Sequence, residues 1–237
     1  MDAVAITLGH QLHHRLTVDA CNAGKHVLVE KPMSLDISEA ETIISLSRTY
    51  KLTAMVGHLL QYHPAFLVLR DLVTSGQLGG LRYLYSNRLN FGRFRTEENI
   101  LWSFAPHDIS MILALTNSAP CHVRAVGQSY LGTGVADSTI THITFDSGVQ
   151  AHIYVSWLHP FKEQKLVVIG ENAMAVFDDT QDWNKKLILY RHVIGQNSGI
   201  PVAERANAKF IPVEPIEPLK EECSHFLTCI EKGKSPR

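Results

Sequence analysis

A lysine follows a short apolar run near the start of the chain, in the segment His26-Val27-Leu28-Val29-Glu30-Lys31-Pro32. A run of valine and leucine that ends at a proline predicts a buried parallel strand. The carboxyl ends of such strands form the crevice in which open α/β sheets bind ligands. Desolvation lowers the pKa of a lysine amine, which lets such a group act as a general acid or base. Lys31 is therefore a candidate catalytic residue; the alternative is that Glu30 and Lys31 are two solvated loop charges.

The elements around this segment predict a parallel sheet. The second of two helical patterns begins with a capping box headed by either Asp36 or Ser38. Strands and helices that alternate with short links are typical of right-handed βαβ units. The three predicted strands are the apolar runs at residues 1–7, 27–29 and 52–56.

From about residue 81 the apolar pattern changes to the two-residue period of strands. It predicts an open antiparallel sheet with helices on one face and the other face free for solvent or a partner. A further helix is predicted at Leu219–Glu231. The strand patterns are a long run at 81–91, hairpins at 139–157 and 166–177, and a strand at 186–190.

Composition is that of an ordinary globular protein. The 237 residues are 45% hydrophobic with a net charge of -1, which gives no attraction to nucleic acid or to a membrane surface. No apolar stretch approaches the ~20 residues of a membrane-spanning helix. Four dispersed cysteines predict reduced thiols and a cytoplasmic location. We expect no metal site, because His13, His14 and His58 lack the spacing of zinc ligands.

Several motifs along the chain occur together in one known family. In this order and spacing they resemble the glucose–fructose oxidoreductase/inositol dehydrogenase (Gfo/Idh/MocA) family of NAD(P)-dependent enzymes, over essentially the whole chain. The motifs are Asp2-Ala3-Val4 with His13, Ala23-Gly24-Lys25 running into Glu30-Lys31-Pro32, Val56-Gly57-His58, Tyr62-His63-Pro64-Ala65, Gly76-Gln77-Leu78-Gly79 and Ala105-Pro106-His107-Asp108-Ile109.

The resemblance implies an α/β plus α+β fold. Residues 1–60 would form the C-terminal half of a Rossmann-type NAD(P)-binding sheet. Residues 61–237 would form a substrate-binding and oligomerisation domain built on the large open antiparallel sheet. The helix at 217–232 would pack back on the Rossmann part.

The glycine-rich turn that opens the family's nucleotide-binding domain is absent from this sequence. The nearest pattern, Gly132-Thr133-Gly134, has Asp137 in place of a third glycine and is interpreted as a loop between strands. We therefore expect the chain to begin roughly 70 residues late, about one βαβαβ half of the sheet, and the family to continue beyond Arg237. A truncated gene model or fragment is the favoured interpretation, and a shortened binding module is the alternative.

The resemblance implies a catalytic pair, Lys31 and His107. In the family a histidine at this position faces the nicotinamide and the substrate hydroxyl, near the lysine of the Glu-Lys-Pro motif. We expect a helix to open near Pro106 with His107 and Asp108 in its first turn, where the helix dipole favours Asp108 as a cap or orienting residue. The alternative for His107 is a core or surface role.

Two departures from the family pattern bear on the substrate. Inositol dehydrogenase-like members carry an aspartate where this chain has Ser103, and Leu59-Leu60-Gln61 replaces a basic pair. The chain looks more like the sugar-nucleotide branch, which includes the UDP-N-acetylglucosamine and UDP-N-acetylglucosaminuronate 3-dehydrogenases of surface-polysaccharide synthesis. Arginines could hold a diphosphate by bidentate contacts, although Arg93 and Arg95 are also compatible with solvated charges. The expected substrate-binding residues are Lys31, Arg88, Asn90, Arg93, Arg95, Ser103, His107 and Asp108.

The cofactor implied is NAD or NADP. The expected cofactor-binding residues are Gly9, His10, His13, Glu30, Lys31 and His58; for His13, packing is the alternative to binding.

The hypothesis is an NAD(P)-dependent dehydrogenase of a secondary sugar hydroxyl, with a nucleotide sugar as substrate and a homodimer or homotetramer formed through the antiparallel sheet. One alternative is a non-catalytic, sheet-mediated interaction module that lacks the dinucleotide-binding half. Another is a sugar-processing relative whose tightly held NAD undergoes a redox cycle during elimination or isomerisation.

Overall fold

The structure, a computed structural model, describes residues 2–92, 94–197, 200–204 and 206–237. The chain divides into two compact units, Met1–Tyr62 with Ile216–Arg237, and His63–Pro215. The first unit begins with β1 (Ala3–Ile6), α1 (His13–Asn22), β2 (His26–Glu30), α2 (Ile37–Thr49) and β3 (Ala54–Gly57). The second contains α3 (Pro64–Thr74), β4 (Leu81–Leu89), α4 (Ile100–Thr116), β5 (Pro120–Gln128), β6 (Ser138–Phe145), β7 (Gln150–Ser156), β8 (Glu163–Gly170), β9 (Ala173–Asp178), β10 (Leu187–Arg191), β11 (Val193–Asn197), β12 (Ile200–Glu204) and β13 (Ala208–Phe210). The chain then returns to the first unit with α5 (Pro218–Lys232).

The sheet of the first unit is parallel, as predicted, with the strand order β1-β2-β3. Successive side chains of β2 point to opposite faces. Val27 and Val29 pack with Cys21 of α1 on one face. Leu28 packs on the other face, with Phe226 of α5. Apolar residues thus bury both faces of β2, which explains its nearly continuous valine and leucine run.

Asp36 caps α2, which settles the choice between the two predicted capping residues. Its side chain accepts hydrogen bonds from the backbone N–H groups of Ser38 and Glu39. Two of the N–H groups that a helix start leaves without helical partners are satisfied in this way.

The sheet of the second unit has eight strands in the order β13-β10-β9-β8-β4-β7-β6-β5. The hairpins β6–β7 and β8–β9 and the strand β10 confirm the predicted patterns. The predicted antiparallel sheet is mixed, because β4 and β7 pair in parallel while its other neighbouring strands are antiparallel. Parallel neighbours need a long crossover connection, and here it runs through α4, which packs on β4, β6 and β7. The strand β5 and the β11–β12 hairpin were not predicted.

Gly132-Thr133-Gly134 lies in the connection between β5 and β6, which confirms its interpretation as a loop. Both glycines have positive φ angles, 68° and 83°. Asp137 is fully buried and its carboxylate accepts a hydrogen bond from the N–H of Leu131 at 2.7 Å. This aspartate therefore closes the loop.

Candidate active site

Three connections meet at the carboxyl edge of the parallel sheet. Leu8-Gly9-His10 follows β1, Glu30-Lys31-Pro32 ends β2, and Gly57-His58 ends β3. Because the strands are parallel and adjacent, all three connections leave the sheet at the same edge. Five of the six residues expected to bind the cofactor belong to these connections, and His13 begins the helix that follows the first of them.

Lys31 is half-buried and lies close enough to His58 for its charge to act on the imidazole. Burial first, and then the positive charge of Lys31, lower the pKa of His58 below its ordinary value. The Nδ1 atom of His58 is buried and has no hydrogen-bond partner among the described residues. Lys31 and His58 are thus neighbours, and His58 is neutral at neutral pH because its pKa is lowered.

Glu30 lies against the backbone of the neighbouring strand. Gly57 is its register partner, and a Cβ atom at Gly57 would stand 3.3 Å from the Glu30 carboxyl group. A side chain at position 57 would therefore crowd the carboxylate. The N–H of Lys31 contacts Glu30 Oε2 at 3.3 Å, so this carboxylate also borders the backbone of the candidate base.

His13 links two of the three connections. It is 1% exposed, and its ring nitrogens lie 2.7 Å from the carbonyl oxygen of Pro32 and 2.9 Å from that of Leu8. A neutral imidazole has one N–H and an imidazolium has two, so the ring donates to one or both carbonyls. These contacts hold the segment after Lys31 next to the segment after β1. Gly9, by contrast, is exposed and has an ordinary extended conformation.

The helix that carries His107 starts earlier than predicted. It begins at Ile100, where the Asn99 side chain accepts a hydrogen bond from the N–H of Trp102, and Pro106 lies inside it. The prediction of a helix start near Pro106 is therefore wrong, and the dipole argument for Asp108 no longer applies. The apolar residues Ile100 and Ala105 are both fully buried, so packing holds the turn before the proline in helical form.

Asp108 has a different role from the predicted cap. It is 1% exposed, its Oδ2 accepts a hydrogen bond from Arg88 Nε at 2.7 Å, and its Oδ1 accepts one from the Ser86 hydroxyl. Arg88 is itself buried. Because both charges are desolvated and paired, Arg88 and Asp108 fasten α4 to β4.

Ser103 and His107 stand four residues apart on α4, so they share one side of the helix. Ser103 is buried and His107 is half-buried.

Ser86, whose hydroxyl donates to Asp108, was not among the predicted site residues. It could have been found from the alternation along β4, which sets residues 84, 86 and 88 on the buried side.

The remaining predicted substrate residues lie after β4. The N–H of Asn90 donates to the carbonyl of Ser156 at 3.2 Å. The Arg95 guanidinium is 41% exposed and lies 2.5 Å from the Glu98 carboxylate. Arg93 lies outside the described residues. Lys31 belongs to the first unit and His107 to the second.

Within the described ranges no three or more His, Cys, Asp or Glu side chains are grouped so that they could hold a metal ion. No helix in that part of the chain is long and apolar enough to cross a membrane.

Comparison with known protein families gives two matches that follow the two units. Residues 1–58 match the oxidoreductase family with an NAD-binding Rossmann fold, and residues 66–176 match the GFO/IDH/MocA C-terminal domain.

Individual relatives are dehydrogenases and reductases by name. The chain is 30% identical to UDP-N-acetylglucosamine 3-dehydrogenase of Acidithiobacillus ferrooxidans over 97% of this chain and 70% of that protein. It is 26% identical to 1,5-anhydro-D-fructose reductase of Ensifer adhaerens over 74% of this chain and 56% of that one. It is 22% identical to scyllo-inositol 2-dehydrogenase (NAD(+)) of Bacillus subtilis, over 100% of this chain and 69% of that one.

Solved structures share the fold. The structure of the A. ferrooxidans UDP-N-acetylglucosamine 3-dehydrogenase superposes with a TM-score of 0.85 at 26% identity, and covers 100% of this chain and 72% of that one. A levoglucosan dehydrogenase in complex with NADH and L-sorbose gives a TM-score of 0.84 at 17% identity, over 99% of this chain and 72% of that one. The chain belongs to the GFO/IDH/MocA family of oxidoreductases, whose nucleotide-binding domain is an NAD-binding Rossmann fold.

Proposed function

We propose that the protein is an NAD(P)-dependent oxidoreductase that oxidises a secondary hydroxyl of a sugar, carried by a nucleotide sugar such as a UDP-N-acetylhexosamine or its uronate. The observation that carries this proposal is the position of Lys31 beside Glu30 and His58 at the carboxyl edge of the parallel sheet. The 30% identity to a UDP-N-acetylglucosamine 3-dehydrogenase over 97% of the chain supports the nucleotide sugar.

The residues at this edge fit the nicotinamide end of the cofactor. Gly57 presents no side chain, and the buried Nδ1 of His58 has no partner among the described residues. Gly9, His10 and Glu30 complete the set that would hold the nicotinamide and its ribose. The printed sequence has no Gly-x-Gly-x-x-Gly turn for the pyrophosphate. When bound, NAD or NADP supplies the hydride acceptor.

Lys31 and His107 share the proton transfer. As the carbinol C–H bond gives up hydride, the O–H proton passes to the Lys31 amine, and the C–O bond becomes a carbonyl. His107 accepts or donates a hydrogen bond at the same oxygen and fixes the hydroxyl. The buried pair of Arg88 and Asp108 acts through the helix, by holding the turn that carries His107.

The segment after β4 binds the nucleotide end of the substrate. Arg95 is part-exposed and can exchange its Glu98 contact for a diphosphate oxygen. Asn90 and Ser103 supply neutral hydrogen-bonding groups. Arg88 is buried in its pair with Asp108, so we assign it to positioning and not to the ligand. Arg93 stays a sequence-based prediction.

The replacement of Lys31 by methionine tests the proposal. It uses the protein expressed from its natural gene, with any coding sequence in frame upstream of Met1. We expect Lys31→Met to lower kcat about 10²–10⁴-fold, the usual size of a general-base contribution. The dissociation constant for NADH, measured by fluorescence, is expected to change only a few-fold. Lys220→Met, an exposed lysine on α5, is the control. Unchanged turnover in Lys31→Met would remove Lys31 from the mechanism.

A second candidate is a non-catalytic protein that joins copies through the eight-stranded sheet. The groove on that sheet, lined by Tyr85, Val167 and Ile188 among others, favours it. NADH fluorescence separates the two candidates: for the 237-residue chain we expect weak enhancement or none, because the pyrophosphate cradle supplies much of the affinity. Saturable enhancement by the natural gene product supports the dehydrogenase, and its absence there supports the interaction protein.

A further inference from the structure

Helix α5 contains none of the family motifs, but it carries an acidic residue, Glu222, that lies near the candidate base Lys31. Along β2, Leu28 and Glu30 point to the same face of the sheet, because side chains alternate. Leu28 packs there against Met55, Tyr62 and Phe226. Glu30 therefore lies on the face that α5 covers, at the carboxyl end of the strand.

Helix α5 packs on this face of the sheet through one row of side chains. Glu222, Phe226 and Ile230 are spaced by four residues, so they lie one above another on the same side of α5. Phe226 and Ile230 both belong to the apolar cluster around Leu28. Glu222 continues that stripe by one turn toward the carboxyl edge of the sheet. It is 1% exposed.

The carboxyl group of Glu222 is buried, and burial makes its ionised form less stable. Its Oε1 atom is buried and has no hydrogen-bond partner among the described residues. Glu30 is near enough for its charge to act on Glu222. Two carboxylates that share a dry site cannot both ionise easily. Burial first, and then the charge of Glu30, raise the pKa of Glu222 from 4.5 to about 7.

Other titratable groups face the same space from each neighbouring element. Burial, with Glu222 as the second cause, raises the pKa of Tyr62 to about 12. The Arg237 guanidinium lies 5.4 Å from the centre of the Tyr62 ring. On α5 itself His225 and Cys229 are in contact at 3.4 Å, and Cys229 also acts on Tyr62. At the edge of the sheet the further groups are Lys31 and His58.

We propose that Glu222 is a positioning residue of the dehydrogenase site, which forms with Glu30 a carboxyl–carboxylate pair that holds one proton. This inference rests on the proposed function only for its consequence in catalysis. Below pH 7 the pair carries a single negative charge next to the backbone of Lys31. In alkaline solution the proton leaves, and a second negative charge appears under the candidate base.

The titration of the pair can be measured on the 237-residue chain, without turnover. The chain is labelled with ¹³C at the glutamate carboxyl carbons and followed by NMR from pH 3 to pH 9. We expect one glutamate with a midpoint near 7. This signal is lost in Glu222→Gln and kept in the control Glu221→Gln, an exposed neighbour on the same helix. In Glu30→Gln the midpoint moves down toward 4.5 and stays above it, because burial remains.

A second measurement does not depend on assigning the signal. Between pH 4.5 and about 7 the folded chain holds a proton that the unfolded chain has released, so the contribution of Glu222 to stability falls as pH rises through this window. As pH rises from 4.5 to 7, the midpoint of urea unfolding of Glu222→Gln is expected to rise relative to that of the wild type, whereas the difference between Glu221→Gln and the wild type is expected to stay constant.

The outcomes separate this proposal from the proposed function. Glutamate midpoints that all lie between 4 and 5, or a Glu222 midpoint that ignores Glu30→Gln, would overturn the shared proton and leave the hydride-transfer assignment untouched. If the pair titrates as expected and the natural gene product transfers no hydride, the proposed function fails and the pair stands. In an active enzyme, Glu222→Gln is expected to change the alkaline limb of the pH profile of kcat, and Glu221→Gln is expected to leave that profile unchanged.

Discussion

Lys31 and His58 are coupled at the carboxyl edge of the parallel sheet, and this coupling can be measured directly. Burial and the charge of Lys31 both lower the pKa of His58. We expect the His58 imidazole to titrate below 6.5 in the wild type and closer to 6.5 in Lys31→Met, as followed by ¹H–¹⁵N NMR of the ring. Lys220→Met is expected to leave the midpoint unchanged. An unaltered midpoint in Lys31→Met would show that the two groups are not neighbours.

The same histidine makes the folded chain sensitive to acid. Because the pKa of His58 is lowered in the folded state, the unfolded state binds more protons as the pH falls below 6.5. The contribution of His58 to stability is therefore present above pH 6.5 and is lost as the pH falls through the lowered value. As the pH falls from 7 to 5, the free energy of unfolding of His58→Gln, measured in urea, is expected to rise relative to that of the wild type. His122→Gln, on the exposed edge strand β5, is the control and is expected to behave as the wild type.

At the scale of single residues, sequence reasoning found groups that end strands and missed groups that face inward. The position of Lys31 at the end of a strand could be predicted, because an apolar run followed by a proline marks the end of β2. Asp108 was singled out from the sequence, but its partners Arg88 and Ser86 lie about twenty residues earlier on another element. Local spacing contains no sign of such a contact. Only the alternation along β4 would have indicated that residues 86 and 88 face the covering helix.

At the scale of elements, α4 depends on the ion pair that joins it to β4. Removal of one partner leaves the other charge buried and alone, which typically costs about 3–5 kcal/mol. We expect Arg88→Met to lower the free energy of unfolding by about 3 kcal/mol in urea titrations. The double variant Arg88→Met/Asp108→Asn is expected to recover most of this loss, because a neutral amide can still accept the hydrogen bond from Ser86.

The control for the buried pair is an arginine–carboxylate ion pair on the surface. Arg82 and Glu171 are separated by 4.0 Å, and both side chains are more than half exposed. Arg82→Met is expected to change the free energy of unfolding by less than about 1 kcal/mol. If Arg88→Met costs no more than Arg82→Met, the buried pair does not fasten the helix.

The elements themselves were predictable to different degrees. Hairpins with short turns were found, since both strands lie in one window of sequence. The parallel pairing of β4 with β7 was not found, because sixty residues lie between the strands and no local pattern selects the partner. The start of α4 was misplaced because Pro106 indicates a helix start in an isolated sequence. In the folded chain, burial of the preceding turn outweighs that local preference.

At the scale of the whole molecule, the eight-stranded sheet has one face that α3 and α4 do not cover. A groove of about 440 Å³ on this face is lined by apolar and aromatic side chains, among them Tyr85, Val167 and Ile188, and by polar and charged ones, among them Lys165 and Asp178. We propose that this face joins two copies of the chain. Ile188→Asp is expected to shift the mass measured by light scattering from dimer or tetramer to monomer. Leu227→Asp, on the exposed side of α5, is the control. A wild-type protein that is monomeric at every concentration would contradict this assembly.

The central claim is that Lys31 and His107, which are seventy-six positions apart in sequence and belong to different units, act on one hydroxyl group. The most direct test is the crystal structure of the natural gene product with NADH and UDP-N-acetylglucosamine. The account predicts that the Lys31 amine and the His107 imidazole both lie within about 2.6–3.2 Å of the same sugar oxygen. A sugar bound so that either group is out of hydrogen-bonding reach of that oxygen, or lies on the opposite side of the molecule, would contradict it.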